Sequence, residues 1–148
     1  MQTLIRVATQ DDVDTLFVIR TSVVQNHLSV EQMADLGITP QVLADSIRAA
    51  PCVWIAEVND QPAAFAMVDL AEGEVFAMFV RPTFENLGLG RQLMAVAEAA
   101  LFEHHDRLFL ITDGRDGIRA NGFYQRLGWS VVGPVDGDDV RYEKSRAQ

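Results

Sequence analysis

Cysteine is nearly absent: Cys52 is the single one among 148 residues, so no internal disulfide can form. Its apolar neighbours Val53 and Trp54 mark it as a small buried hydrophobe rather than a nucleophile. Long apolar runs are missing too. The longest are of strand length, and Met1 to Arg6 has neither the basic start nor the apolar stretch of a signal peptide, so a cytoplasmic location is expected. Positive charge is scarce, with 12 Lys and Arg against 21 Asp and Glu and a net charge of -9. A phosphate backbone requires a basic footprint, which argues against nucleic acid as the main partner. The acidic balance favours cationic ligands, and it also serves solubility alone. There is no low-complexity segment and no fixed-period repeat. A chain of this length buries roughly 70% of its unfolded surface, so one domain over residues 1–148 is expected.

The chain opens on a strand candidate, Leu4 to Val7, followed by Thr9 as a helix cap with Asp11 and Asp12 in the first turn. Val13, Leu16, Phe17, Arg20 and Val24 then recur at helical spacing. Ser29 with Gln32 three residues on reads as a capping box for a second helix that Gly37 ends, and Thr39-Pro40 starts a third. Between the first two lies a polar loop containing His27, a solvated loop histidine or a weak candidate for substrate contact. Cys52 to Val58, Pro62 to Leu70 and Glu74 to Val80 read as three strands joined by short turns, an antiparallel meander. A helix from Gly88 to Phe102 and a strand from Arg107 to Thr112 complete a crossover whose strands should run parallel. A helix from Gly117 to Leu127, a strand from Trp129 to Val132, and a turn at Asp136-Gly137 returning through Tyr142 close the chain. The expected fold class is α+β, with a mixed, mostly antiparallel sheet flanked by helices.

The stretch from Glu74 to Phe102 carries the chemistry. A strand feeds a loop, Arg81 to Leu87, and then a helix whose first turn has free N–H groups and the positive end of the macrodipole, a setting for phosphate. A nucleoside-triphosphate loop needs lysine and then Ser or Thr after the last glycine, whereas Gly90 is followed by Arg91-Gln92. A dinucleotide fingerprint needs a third glycine where Leu93 stands, and a tight turn where seven residues intervene.

Glu85-Asn86-Leu87-Gly88-Leu89-Gly90 resembles the acyl-CoA loop, Arg/Gln-x-x-Gly-x-Gly/Ala, of the GCN5-related N-acetyltransferase (GNAT) superfamily. Val80-Arg81-Pro82 resembles the family's valine-x-proline exit from the strand. Ala120-Asn121-Gly122-Phe123-Tyr124-Gln125-Arg126-Leu127-Gly128-Trp129 resembles its second motif, Ala-x-x-Phe-Tyr-x-x-x-Gly-aromatic. The two motifs agree in order and spacing, and the element order agrees over nearly the whole chain. The resemblance implies that the strands on either side of the loop splay apart and that acetyl-CoA is the co-substrate, with no metal. Its pantetheine arm would pair with backbone at Met78 and Val80. N–H groups from Asn86, Leu87, Gly88, Leu89, Gly90 and Arg91 would cradle the diphosphate, and an N–H near Phe79 would face the developing oxyanion.

By the same resemblance Tyr124 is the general acid, and Glu74, eleven residues before Glu85, takes the place of the general base of histone-type members. Asp69, Glu72 and a water remain competitors for the base. An ordinary phenol near pKa 10 facing a thiol near 8.5 makes proton donation uphill by roughly 2 kcal/mol. The expected reaction is acetylation of a primary amine, of a small cationic molecule or a protein, by a soluble domain, with a homodimer the commonest default assembly. A non-catalytic acyl-CoA-binding module is the alternative. Two departures bear on it. Glu85 replaces Arg or Gln, and at 4 Å from a phosphate its charge would cost about 1–4 kcal/mol, so its side chain is expected to face solvent, or Arg91 to offset it. Gly117 stands where many members have a cofactor-holding asparagine.

Overall fold

A computed structural model describes residues 2–24 and 27–146 of the chain. The order is β1 (Thr3–Val7), α1 (Val13–Ser22), α2 (Val30–Asp35), α3 (Pro40–Ala49), β2 (Val53–Val58), β3 (Gln61–Asp69), β4 (Glu74–Val80), α4 (Leu89–Phe102), β5 (Arg107–Asp113), α5 (Arg119–Arg126), β6 (Ser130–Asp136) and β7 (Asp139–Ser145). The strands form one sheet in the order β1-β2-β3-β4-β5-β7-β6. All neighbours are antiparallel except β4 and β5, the two strands that the α4 crossover joins. The expected α+β class with a mixed, mostly antiparallel sheet is the observed one.

Local chemistry sets most boundaries. Ser29 and Gln32 form the reciprocal capping box, Ser29 Oγ accepting from the Gln32 N–H at 3.1 Å and Gln32 Oε1 from the Ser29 N–H at 2.8 Å. Thr39 Oγ1 accepts from the Val42 N–H at 3.2 Å and caps α3. Asn59 and Asp60 both take positive φ, 50° and 69°, the paired left-handed geometry of a two-residue hairpin turn between β2 and β3. The expected last helix is shorter than its sequence pattern, beginning at Arg119 because Gly117 sits at φ 85°. The strand after it is longer, running through Gly133 and Pro134 to Asp136 with register shifts at both, which an edge strand tolerates because Pro owes no ladder hydrogen bond there.

The core lies on both faces of β2 and β3, whose residues are almost all buried. Phe65 and Met67 of β3 face α1, while the alternating Ala64, Ala66 and Val68 are buried on the opposite face, where α4 packs. Leu89, Leu93, Met94, Ala97 and Leu101 form the buried stripe of α4. Cys52 is buried, with its Sγ 3.6 Å from the Ser46 carbonyl and burial pushing its thiol pKa up, as a core residue should be.

Candidate active site

β4 and β5 pair at one position only, Glu74 with Phe109, where the Phe109 N–H donates to the Gly73 carbonyl at 3.1 Å. β4 is otherwise held from its other side, Met78, Phe79 and Val80 pairing with Ala66, Phe65 and Ala64 of β3. The sheet therefore forks above Glu74, and the β4 edge from Met78 to Val80 turns main-chain polar groups toward the gap. The splay that the resemblance implied is present. Two halves of sheet with one shared pair need another tie, and Glu98 of α4 supplies it. Its carboxylate accepts from Trp129 Nε1 at 3.1 Å and from Lys144 Nζ at 2.7 Å, and the same Nζ donates to the Leu127 carbonyl at 2.7 Å.

At the open end of the fork the Arg81 N–H donates to the Ala63 carbonyl at 2.8 Å, and Arg81 Nη1 to the Pro62 carbonyl at 3.0 Å, which fixes where β4 ends. One 3₁₀ turn, Pro82–Phe84, follows. Asn86 (φ 65°) and Gly88 (φ 80°) then swing the chain into α4, whose first N–H groups have no intrahelical acceptor. Gly90 is required by contact: a Cβ there would lie 3.2 Å from two ring carbons of Phe123 on α5. Leu89 is fully buried, which anchors the first turn of α4 on the core, while Leu87 and Arg91 are exposed. This loop with its forked edge fits an extended thiol ester bearing a diphosphate.

Glu85 is exposed, as expected, and it also has a partner that the sequence did not suggest. Its carboxylate is paired with Nη1 of Arg119 at the start of α5, whose Nη2 donates to Asn86 Oδ1 at 2.7 Å. A cation from a distant element, rather than Arg91, pairs with the exposed Glu85 carboxylate. That arginine draws the loop to α5 and sets a positive group beside the helix start. The other departure, Gly117, lies in a segment held by Asn121, whose Nδ2 donates to the Asp113 carbonyl at 2.9 Å while its Oδ1 accepts from the Tyr142 hydroxyl at 2.8 Å.

Tyr124 is 8% exposed, its ring 5.5 Å from those of Phe123 and Tyr142. Burial, and secondarily Tyr142, push its phenol up to about 12. Glu74, half-buried at the apex of the fork, also has its pKa raised, by desolvation first, then by Asp69 and Glu72, against a lowering from Arg141. Its competitors are differently placed. Asp69 Oδ1 accepts from the N–H groups of Ala71 (3.1 Å) and Glu72 (3.2 Å), closing the turn, and Glu72 is exposed. His27 is exposed with Nδ1 3.0 Å from the Val23 carbonyl, and it does not line the depression described next.

A small apolar depression lies beneath α1, lined by Phe17, Met33, Phe65, Met67, Phe76, Ala77 and their neighbours. Met67 pairs with Ala77 and Val68 with Val75, so Phe76 is the extra residue of a bulge and, 46% exposed, stands at the rim. One charged side chain, Arg20, lines this depression. Sequence reading passed over it, although an arginine at an apolar phase of α1 was a signal. Arg119 had no such signal, its partner being 34 residues away.

The chain belongs to the acetyltransferase (GNAT) family, whose model matches residues 25–129. Solved structures share the fold. PaiA N-acetyltransferase from Thermoplasma acidophilum, in complex with coenzyme A, is 17% identical with a TM-score of 0.79, over 99% of this chain and 100% of that one. Ribosomal-protein-alanine N-acetyltransferase from Brucella melitensis is 22% identical with a TM-score of 0.75, over 97% and 99%. Arabidopsis thaliana Naa50, in complex with the bisubstrate analogue CoA-Ac-MVNAL, is 13% identical with a TM-score of 0.73, over 99% and 100%.

Proposed function

We propose that the protein transfers an acetyl group from acetyl-CoA to the primary amine of a small molecule by direct attack. The observation that carries this reading is the fork between β4 and β5 closed at one end by Glu74 and opened at the other onto the Asn86 to Arg91 turn. Bound there, acetyl-CoA supplies the activated acetyl carbon. Main-chain groups of Met78 and Val80 hold its arm, N–H groups from Asn86 to Arg91 hold its diphosphate, and an N–H near Phe79 faces the carbonyl oxygen as negative charge grows. Arg119, by pairing with Glu85, offsets the repulsion that this carboxylate would exert on the phosphates.

An amine near pKa 10.4 arrives as an ammonium and must lose a proton before it attacks. The acidic surface draws such a cation in. Glu74 takes that proton, directly or through water, and its raised pKa makes it a better base than an exposed carboxylate. As the C–N bond forms and the C–S bond breaks, Tyr124 donates its phenolic proton to the departing sulfur and regains one from the new amide nitrogen through solvent. With the phenol at about 12, complete transfer to a thiolate of ordinary basicity is uphill by about 5 kcal/mol. That fits under the barrier of about 16–17 kcal/mol for a turnover on the order of 1–10 per second.

The same burial of Tyr124 favours a second reading, an acyl-CoA-binding module without turnover. Two assays separate them. CoA at ~100-fold excess over Kd should add about 2.7 kcal/mol of stability, and the absence of any shift sinks both readings. Amine-dependent release of free CoA across a panel of amines supports the enzyme; a silent panel with CoA bound leaves the module.

A further inference from the structure

Arg20 is 9% exposed, and its Nη1 has no hydrogen-bond partner among the described residues. Its guanidinium carbon lies 4.1 Å from the centroid of the Phe79 ring, and no carboxylate among the described residues offsets its desolvation. Buried charges are as a rule paired, because one aromatic face returns less than removal from water costs. The other side chains lining the depression are all apolar, so none of the described residues completes the pair there. The guanidinium fork matches a carboxylate, two N–H groups to two oxygens, and a single arginine in an otherwise apolar wall suits one negative charge rather than a phosphate.

Position links this cation to the reaction. Phe76 and Ala77 of the lining belong to β4, two and three residues beyond Glu74, and Phe79 carries the stacked guanidinium. Asp69 and Glu74 are register partners at the strand ends below, so the depression and the candidate base lie along one strand. We propose that the depression beneath α1 holds the apolar body of the acceptor and that Arg20 binds a carboxylate carried by that acceptor, making the substrate an amino acid-like zwitterion rather than a polyamine. This rests on the acetyl-transfer reading of the fork and narrows its cationic amine to one whose charge is balanced within the molecule.

The test uses the full chain and two probes of one shape, 3-phenylpropionate and 3-phenylpropionamide, titrated calorimetrically, with CoA titrated separately. The acid should bind at least about tenfold more tightly than the amide. Arg20→Met should abolish that difference while leaving CoA affinity unchanged, and Arg20→Lys, which keeps the charge without the fork, should retain part of it. In the CoA-release assay phenylalanine should exceed phenethylamine by a similar factor. Equal binding of acid and amide, binding of neither, or a preference that survives Arg20→Met overturns the assignment. Failure of CoA to bind strikes the acetyl-transfer reading instead, since the comparison of acid with amide needs no cofactor.

Discussion

Two surfaces meet along β4, the loop wall at the mouth of the fork and the wall of the depression beneath α1, and they are built by opposite means. From Val80 to Arg91 the wall is backbone: two left-handed residues, a helix start and a glycine under Phe123 present N–H groups that any side chain would obscure. Beneath α1 the wall is side chain, apolar except for one buried guanidinium. A backbone wall suits a ligand that is always the same, and a side-chain wall suits one that differs between relatives. On the proposed reading, recognition of a donor is in this way separable from recognition of an acceptor on a single strand.

The largest effect should come where the walls converge on chemistry. Tyr124→Phe removes the proposed proton donor and should lower kcat by about a hundredfold or more with little change in either KM; unchanged turnover at saturating substrates removes Tyr124 from the mechanism. Next is the backbone wall. Gly90→Val pushes against Phe123 and the loop, and the Kd for CoA should rise at least about tenfold by calorimetry. Third is the tie across the fork. Glu98→Ala strands the buried Trp129 Nε1 donor and leaves Lys144 only the Leu127 carbonyl, and should cost about 1–3 kcal/mol in urea unfolding.

The smallest effect is on stability at the apex. The pKa of Glu74 is raised in the folded protein, so the folded state loses stability as pH rises through that value and keeps it below the ordinary carboxylate range. Glu74→Gln should therefore raise Tm at pH 7 and match the wild type below about pH 4, where both side chains are neutral. A variant that is less stable at pH 7 would show that the carboxylate is favourably held rather than strained.

The backbone wall was legible in the sequence because its determinants are local. The glycines, the start of α4 and the capping box at Ser29 are short-range signals, and each appeared where its residues stand. The splay itself was not readable from residue pattern and came with the family resemblance. The side-chain wall was hidden because it gathers Phe17, Arg20, Met33, Met67 and Phe76 from three elements and the bulge of a fourth. The partner of Glu85 was hidden for the same reason, since Arg119 is brought to it only by the packing of α5 against the loop. Tyr124 was identified as a candidate, yet the pKa that its burial imposes depends on Phe123 and Tyr142 closing over it.

The division of labour between the walls can be tested by steady-state kinetics of Gly90→Val and Arg20→Met, varying acetyl-CoA and the best acceptor of the amine panel in turn. The account predicts that Gly90→Val raises KM for acetyl-CoA alone and that Arg20→Met raises KM for the acceptor alone. If either substitution moves both constants together, donor and acceptor share one wall and the account is wrong.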